Sequence, residues 1–323
     1  MERTHSDYFL CTRVNGSTFV IHERDKFEEH PFIYVKLYND APYIVLSDTG
    51  CGGGSQKHAY SRNLREFIET CPITANEGRP LNSRTEDKGI LKKYVIICTH
   101  CHYDHILGLE HFQDASPQIV ASWEGKSFVE KDLPEHSLCK SLDAPTPQYT
   151  VTHWARDNSW LFVDGTPLHL QIIHTPGHTP DELAWYDRQE RHLYVGDSFC
   201  ERVANDRSYE QAILFPKEGN ILKYIDSLKR LLEFVEAKNT DPKADRGTVK
   251  ISCGHVTSSV EAKEILLAVQ SLVVDILSNK VLIVKSEEKR DEEYVTWRGS
   301  EEPRFSVEAP KRIMLDALQQ SQA

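Results

Sequence analysis

Directly after the apolar run Tyr94–Cys98 the chain reads Thr99-His100-Cys101-His102-Tyr103-Asp104-His105, and no other stretch narrows the possible folds as much. A β-branched and aromatic run that stops at a polar cluster reads as a strand carrying functional groups at its C-terminal end. His100 and His102 stand two apart, so in extended chain they project to the same side. Asp104 and His105 fall where a helix can begin, with Ile106, Leu109 and Phe112 following, and can aim at a second point nearby. Neutral imidazole and carboxylate are the donors that a borderline cation such as zinc prefers. One tight turn can therefore furnish ligands for two adjacent metal ions. With 15 His in 323 residues, the pattern H-x-H-x-D-H arises by chance in roughly 2 of 1,000 such chains. Crowding chargeable imidazoles together without a partner is unfavourable, so the turn reads as metal-binding.

Composition limits the partners. Lys plus Arg total 38 against 49 Asp plus Glu, a formal net charge of −11. Such a chain is repelled by phosphate backbones unless a basic stripe overrides the balance, and no such stripe is present, so a nucleic-acid partner is not expected. No apolar run approaches the roughly 20 residues of a membrane-spanning helix. The first residues, Met1 to Asp7, carry charges of both signs and lead into no signal peptide. The expectation is a cytoplasmic protein without a membrane partner. Eight cysteines in 323 residues are too sparse for a disulfide scaffold, and Cys98-x-x-Cys101 lacks the second pair a zinc ribbon needs. They read as reduced, mostly buried thiols.

Strand-like runs are Phe32–Leu37, Tyr43–Ser47, Tyr94–Cys98, Gln118–Ser122, Trp160–Val163, Leu168–Ile173, Leu183–Tyr186, Leu193–Val195 and Val249–Cys253. Helical periodicity marks Asn220–Lys238, Val260–Leu277, Lys311–Leu318 and Ser61–Thr70. That order predicts an α+β chain of layered sheets and helices. It is read as a single domain over 1–323 with a C-terminal extension from about 281 to 323. Lys131–Ser159 holds Pro134, Pro145 and Pro147 with few periodic apolar residues, and is either a lid or a surface excursion. The charged Ser286–Glu293 is expected to be a solvated loop or helix end. The tail Lys311–Ala323 either packs on the domain or meets a second copy in a homodimer.

Five elements in fixed order resemble the metallo-β-lactamase superfamily. They are Asp48, followed by Gly52-Gly53-Gly54; the H-x-H-x-D-H turn; His178 in His174-Thr175-Pro176-Gly177-His178-Thr179; Asp197 in Gly196-Asp197-Ser198; and His255 in Cys253-Gly254-His255. The resemblance implies an αβ/βα four-layer sandwich and two zinc ions per chain. One zinc would fall to His100, His102 and His178, the other to Asp104, His105 and His255, with Asp197 bridging. Asp48 matches a carboxylate that orients a ligand. Two departures stand out: Leu107 precedes Gly108 where the family often has Gly-Gly, and Asp181-Glu182 replaces Gly-Ser. Among the remaining histidines, His174 reads as structural, and His58, His111, His136 and His153 as surface or loop residues. Tyr103, Trp154 and Phe199 are candidates for a substrate pocket.

What the resemblance implies chemically is hydrolysis of a small carbonyl substrate by a metal-bound hydroxide, with Asp104 as proton shuttle. Length and the C-terminal part look similar to fungal members. That favours opening of a cyclic amide, carbamate or ester, of the lactamase or lactonase type that detoxifies benzoxazolinone-like compounds. A glyoxalase II-like thioesterase and a mononuclear-iron persulfide dioxygenase are the alternatives.

Overall fold

A computed structural model describes residues 4–5, 8–53, 63–84, 89–201, 211–241, 247–299 and 304–321. Gly54, His58 and the first two residues of the stretch Ser61–Thr70 lie outside the described residues. The chain divides into two compact units, Met1–Arg156 with Trp160–Leu168, and Asp157–Ser159 with His169–Ala323.

The first unit is built on an eight-stranded sheet in which spatial order follows chain order. Its strands are β1 (Thr4–His5), β2 (Phe9–Arg13), β3 (Thr18–Glu23), β4 (Phe32–Leu37), β5 (Tyr43–Ser47), β6 (Lys93–Ile97), β7 (Gln118–Ser122) and β8 (His153–Ala155). Strands β1 to β5 pair antiparallel, and β5 to β8 pair parallel. Parallel neighbours need crossovers, and these contain α1 (Leu64–Thr70), α2 (Tyr103–Ile106), α3 (Lys126–Lys131) and α4 (Leu133–His136). Asn63 caps α1 by accepting the Glu66 amide, while Leu64, Phe67 and Ile68 turn inward. They join Phe9, Phe19, Ile21, Val35, Leu46 and Ile96 in one core. The parallel half therefore carries its loops on one edge, at the C-terminal ends of β5 to β8. A further strand, β9 (Trp160–Val163), belongs to this unit.

The second unit carries most of β10 (Thr166–His174), then β11 (Leu183–Asp187) and β12 (His192–Val195) in an antiparallel meander. After β13 (Ile213–Leu214) and α5 (Ile221–Asn239), β14 (Lys250–Ser252) pairs parallel with β12 and antiparallel with β15 (Val260–Glu261). Helix α5 buries Ile221, Tyr224, Leu228, Leu231 and Val235, the i, i+3, i+7 stripe of an amphipathic helix. Helix α6 (Ala262–Leu277) does the same with Ile265, Val269, Val273 and Ile276.

The C-terminal residues differ from expectation. Ser286–Glu293 is a hairpin joining β16 (Leu282–Lys289) to β17 (Glu292–Arg298), with Arg290 and Asp291 both at positive φ as a type I′ turn requires. Strand β16 is exposed over most of its length, so no buried alternation announces it, and the charges of its second half, Lys285 to Lys289, suit a sheet edge. With β18 (Ser306–Pro310) and β13 these strands form a second sheet. Its Val295, Trp297 and Val307, and Ile313 and Met314 of α7 (Lys311–Ser321), join the core of α5 and α6. Strands β2 and β3 also escaped the sequence reading, because His22, Glu23 and Arg13 interrupt the apolar pattern. Lys131–Ser159 is less irregular than its prolines suggest, since it contains α4 and β8.

Candidate metal centre

In the first unit the metal-type side chains leave the end of β6 and the start of α2. His100, His102, Asp104 and His105 are all buried, at 1%, 4%, 6% and 0% exposure. Asp48 directly follows β5 in a left-handed conformation (φ 64°) that Asp tolerates better than most residues. Its Oδ1 accepts the Thr99 amide at 2.7 Å, and its Oδ2 accepts the Thr99 hydroxyl at 2.8 Å. Because that hydroxyl donates to Asp48, it accepts the Nδ1–H of His100 at 3.2 Å, which leaves the Nε2 lone pair outward. Asp48 Oδ2 also lies 3.0 Å from Nδ1 of His105. The His105 Nε2 is thereby directed at Asp104 Oδ2, 3.3 Å away. His100 Nε2 and His102 Nδ1 face each other at 3.0 Å. A shared proton or a cation relieves the lone-pair repulsion at that spacing.

In the second unit three separate loops converge. His178 sits between β10 and β11, in a loop closed by the Thr175 amide donating to Glu182 O at 2.9 Å. Gly177 is required there, since a Cβ would lie 2.5 Å from the Tyr224 backbone of α5. His178 Nδ1 donates to the Leu214 carbonyl at 2.7 Å, and its Nε2 lies 3.9 Å from Asp197 Oδ2. His255 Nε2 lies 3.6 Å from the other oxygen, Oδ1. The Gly254 amide bonds to Gly196 O at 2.8 Å and so ties together the loops that carry His255 and Asp197.

These distances decide the chemistry. The 3.6 and 3.9 Å gaps around Asp197 are too long for hydrogen bonds. A cation bound at about 2.0–2.2 Å to each donor spans gaps of that size. The outward ring nitrogens of His100, His105 and His178 are each backed by an acceptor on the other nitrogen, as in metal-ligating histidines. The donor set fits a metal.

A family model described as "Metallo-beta-lactamase superfamily" matches residues 43–234. The chain belongs to this superfamily. Its members are metal-dependent hydrolases, and so is this chain. The avaE protein of Aspergillus versicolor, which carries a transcription-factor name, is 34% identical over 84% of this chain and 77% of its own length. The acyl-coenzyme A thioesterase MBLAC2 of Gallus gallus is 28% identical over 49% of this chain, and the hydroxyacylglutathione hydrolase of Pelagibacter ubique 29% over 40%. The chain spans only 55% and 45% of those two relatives. Among solved structures, the metallo-β-lactamase of Erythrobacter litoralis aligns with a TM-score of 0.52 at 14% identity, over 84% of this chain and 100% of that one. The fold is thus the metallo-β-lactamase α+β sandwich.

Within this superfamily member the two departures have visible consequences. Gly108 is held by close approach, because a Cβ there would lie 2.1 Å from Thr49 O. Leu107 stands in the wall of a cavity of about 400 Å³ with Cys51, Gly52, Gly53 and Pro145. Glu182 is fully buried, accepts the Ser198 hydroxyl at 3.1 Å, and is pushed well above the carboxylate range by burial and the neighbouring Asp197. Sequence reading noted Glu182 only as a departure.

Glu23 was missed altogether. Its carboxyl accepts the Cys51 amide at 2.7 Å and the Gly53 amide, and burial pushes it up to about 8. The signal was present: Glu23 shares the strand face of Phe19 and Ile21, where an acid among core residues is out of place.

Two of the three pocket candidates are packing residues. Phe199 is 1% exposed and its ring is used in the second unit's core. Tyr103 is 5% exposed, donates to Glu29 and stacks edge-on with Phe27. Trp154 is half-buried on β8. His174 is structural, its Nε2 lying 3.0 Å from Pro180 O. His136 stacks on Phe128, and His111, half-buried rather than a surface residue, accepts the Leu64 amide. All eight cysteines are free and buried. Among the described residues, no helix is long and apolar enough to cross a membrane.

Proposed function

We propose that this chain hydrolyses thioesters with two zinc ions, for which His100, His102 and His178, and Asp104, His105 and His255, together with Asp197, would supply the ligands. The observation that carries the two-ion reading is Asp197, whose two oxygens face different histidines, at 3.9 Å for His178 and 3.6 Å for His255. When bound, such a pair of cations polarises a carbonyl and makes water acidic enough to attack it near neutral pH. The protein's own residues do the rest. Asp48 and Thr99 fix the tautomers of His105 and His100, so the outward nitrogens stay unprotonated. Asp104, buried beside His105, holds the proton lost by the attacking water and returns it to the leaving group. No serine or cysteine nucleophile is needed, and the chain has no G-x-S-x-G elbow.

The thioester assignment is supported by the printed names of relatives, an acyl-coenzyme A thioesterase and a hydroxyacylglutathione hydrolase. A small-molecule substrate also suits a chain of net charge −11, and buried free thiols suit the reducing cytosol. Metal analysis with a substrate panel tests the proposal. Two zinc per chain and turnover of a thioester are expected. Preferential turnover of a lactam, carbamate or lactone would replace the substrate assignment, and one iron with oxygen consumption would replace the reaction.

A further inference from the structure

Strands β7 and β8 of the first unit run parallel to β6, so the residues that follow them share its C-terminal edge with the histidine turn. Ile97 pairs with Val120 at the end of this ladder, and Trp123 follows that pair on the β7 side by the same three residues as His100 on the β6 side. Trp123 continues the ladder by donating its amide to Ala155 O at 2.8 Å, which brings Arg156 alongside it. Two strand spacings cover about 10 Å, so this group stands roughly one small-molecule length from the turn along the sheet. Open α/β sheets take up their ligands outside the carboxyl ends of parallel strands.

At that edge two cations gather on two indoles. The Arg156 guanidinium lies over Trp123, 4.4 Å from the ring centroid. Lys126 Nζ lies 5.3 Å from the ring of Trp154 and 5.6 Å from that of Trp123. Trp123 is 42% exposed although large and apolar, and Arg156 is exposed. Lys126 has an exposed carboxylate, Glu130, 3.7 Å away, whereas Arg156 has no ion pair among the described residues. In a chain with an 11-charge acidic excess, basic groups fixed on aromatic faces beside the histidine turn form a local exception to the overall field.

We infer that Trp123, Lys126, Trp154 and Arg156 form a recognition site for an anionic group, carboxylate or phosphate, on the leaving arm of the substrate. The guanidinium supplies paired donors to the anion, the ammonium adds charge, and the indoles hold both cations in place and offer a flat apolar wall. This rests on the thioester reading above and specifies which thioesters are taken.

The test uses the zinc-loaded full chain and three thioesters of one acyl group: of coenzyme A, of glutathione and of uncharged N-acetylcysteamine. The wild-type kcat/KM favours an anionic ester over the neutral one, the coenzyme A ester if phosphate is read and the glutathione ester if carboxylate is. In Arg156→Gln that preference falls about ten-fold, through KM rather than kcat, and Arg156→Lys recovers part of it. Lys126→Gln acts in the same direction. An equal preference in wild type and Arg156→Gln overturns the inference. If no thioester is turned over, the parent reading fails, yet tryptophan fluorescence still decides this one. Free coenzyme A or glutathione then quenches wild type and not Arg156→Gln, and an identical quench in both proteins, or none in either, overturns it.

Discussion

The two units secure their metal-type side chains in different ways. The first gathers His100, His102, Asp104 and His105 from one turn and braces them with side chains, Asp48 and Thr99. The second draws His178, Asp197 and His255 from three distant loops and braces them largely with backbone, through the Leu214 carbonyl and the Gly254–Gly196 bond. A braced turn is local and can be loosened by changing one side chain. A backbone-braced convergence depends on β12, β13 and β14 being in place, and side-chain changes leave its hydrogen bonds standing.

The largest effect expected is on turnover. On the proposed mechanism Asp104→Ala lowers kcat by about 10²–10⁴-fold while far-UV circular dichroism stays native, because the group would move a proton and carries little of the fold. Retained turnover would remove Asp104 from the chemistry. Next comes metal affinity. Asp48→Ala weakens metal binding about 10–100-fold, as loss of a carboxylate behind a ligating histidine does elsewhere. Leu214→Ala leaves affinity near wild type, because His178 bonds to its carbonyl and not its side chain. Equal losses in competition with a chelator would break the contrast between the units.

Stability sharpens the comparison further. Glu182→Ala strands the Ser198 hydroxyl in a buried site and costs about 1–3 kcal/mol in urea unfolding, whereas Glu182→Gln keeps an acceptor and costs less. Equal losses would show that packing volume, not the hydrogen bond, matters there.

Close to neutral pH the smallest effect is a pH dependence away from the metal-type residues. His192 bonds Ser252 at 2.7 Å, and burial lowers it from 6.5 to about 3. The folded form stays neutral where the unfolded chain binds a proton. Its contribution is therefore complete above pH 6.5 and is lost as pH falls from there towards 3. His192→Gln flattens the urea midpoint across that window, and an unchanged slope would assign the acid sensitivity to other groups.

The histidine turn was legible because its information is local: an apolar strand, a two-residue spacing and a helix start lie within a dozen neighbouring positions. The amphipathic stripes of α5 and α6 were legible for the same reason, since period 3.6 survives in any helix with one buried face. The sequence alone also marked His178, Asp197 and His255, but only through resemblance, because no spacing rule links residues so far apart. Tertiary structure decided what surrounds them. It showed that Glu23 lies under the glycine loop, that Phe199 is core, and that the largely exposed Leu282–Lys289 is a sheet edge. Burial and hydrogen-bond partners belong to the assembled chain, and a side chain's neighbours along the sequence do not carry that information.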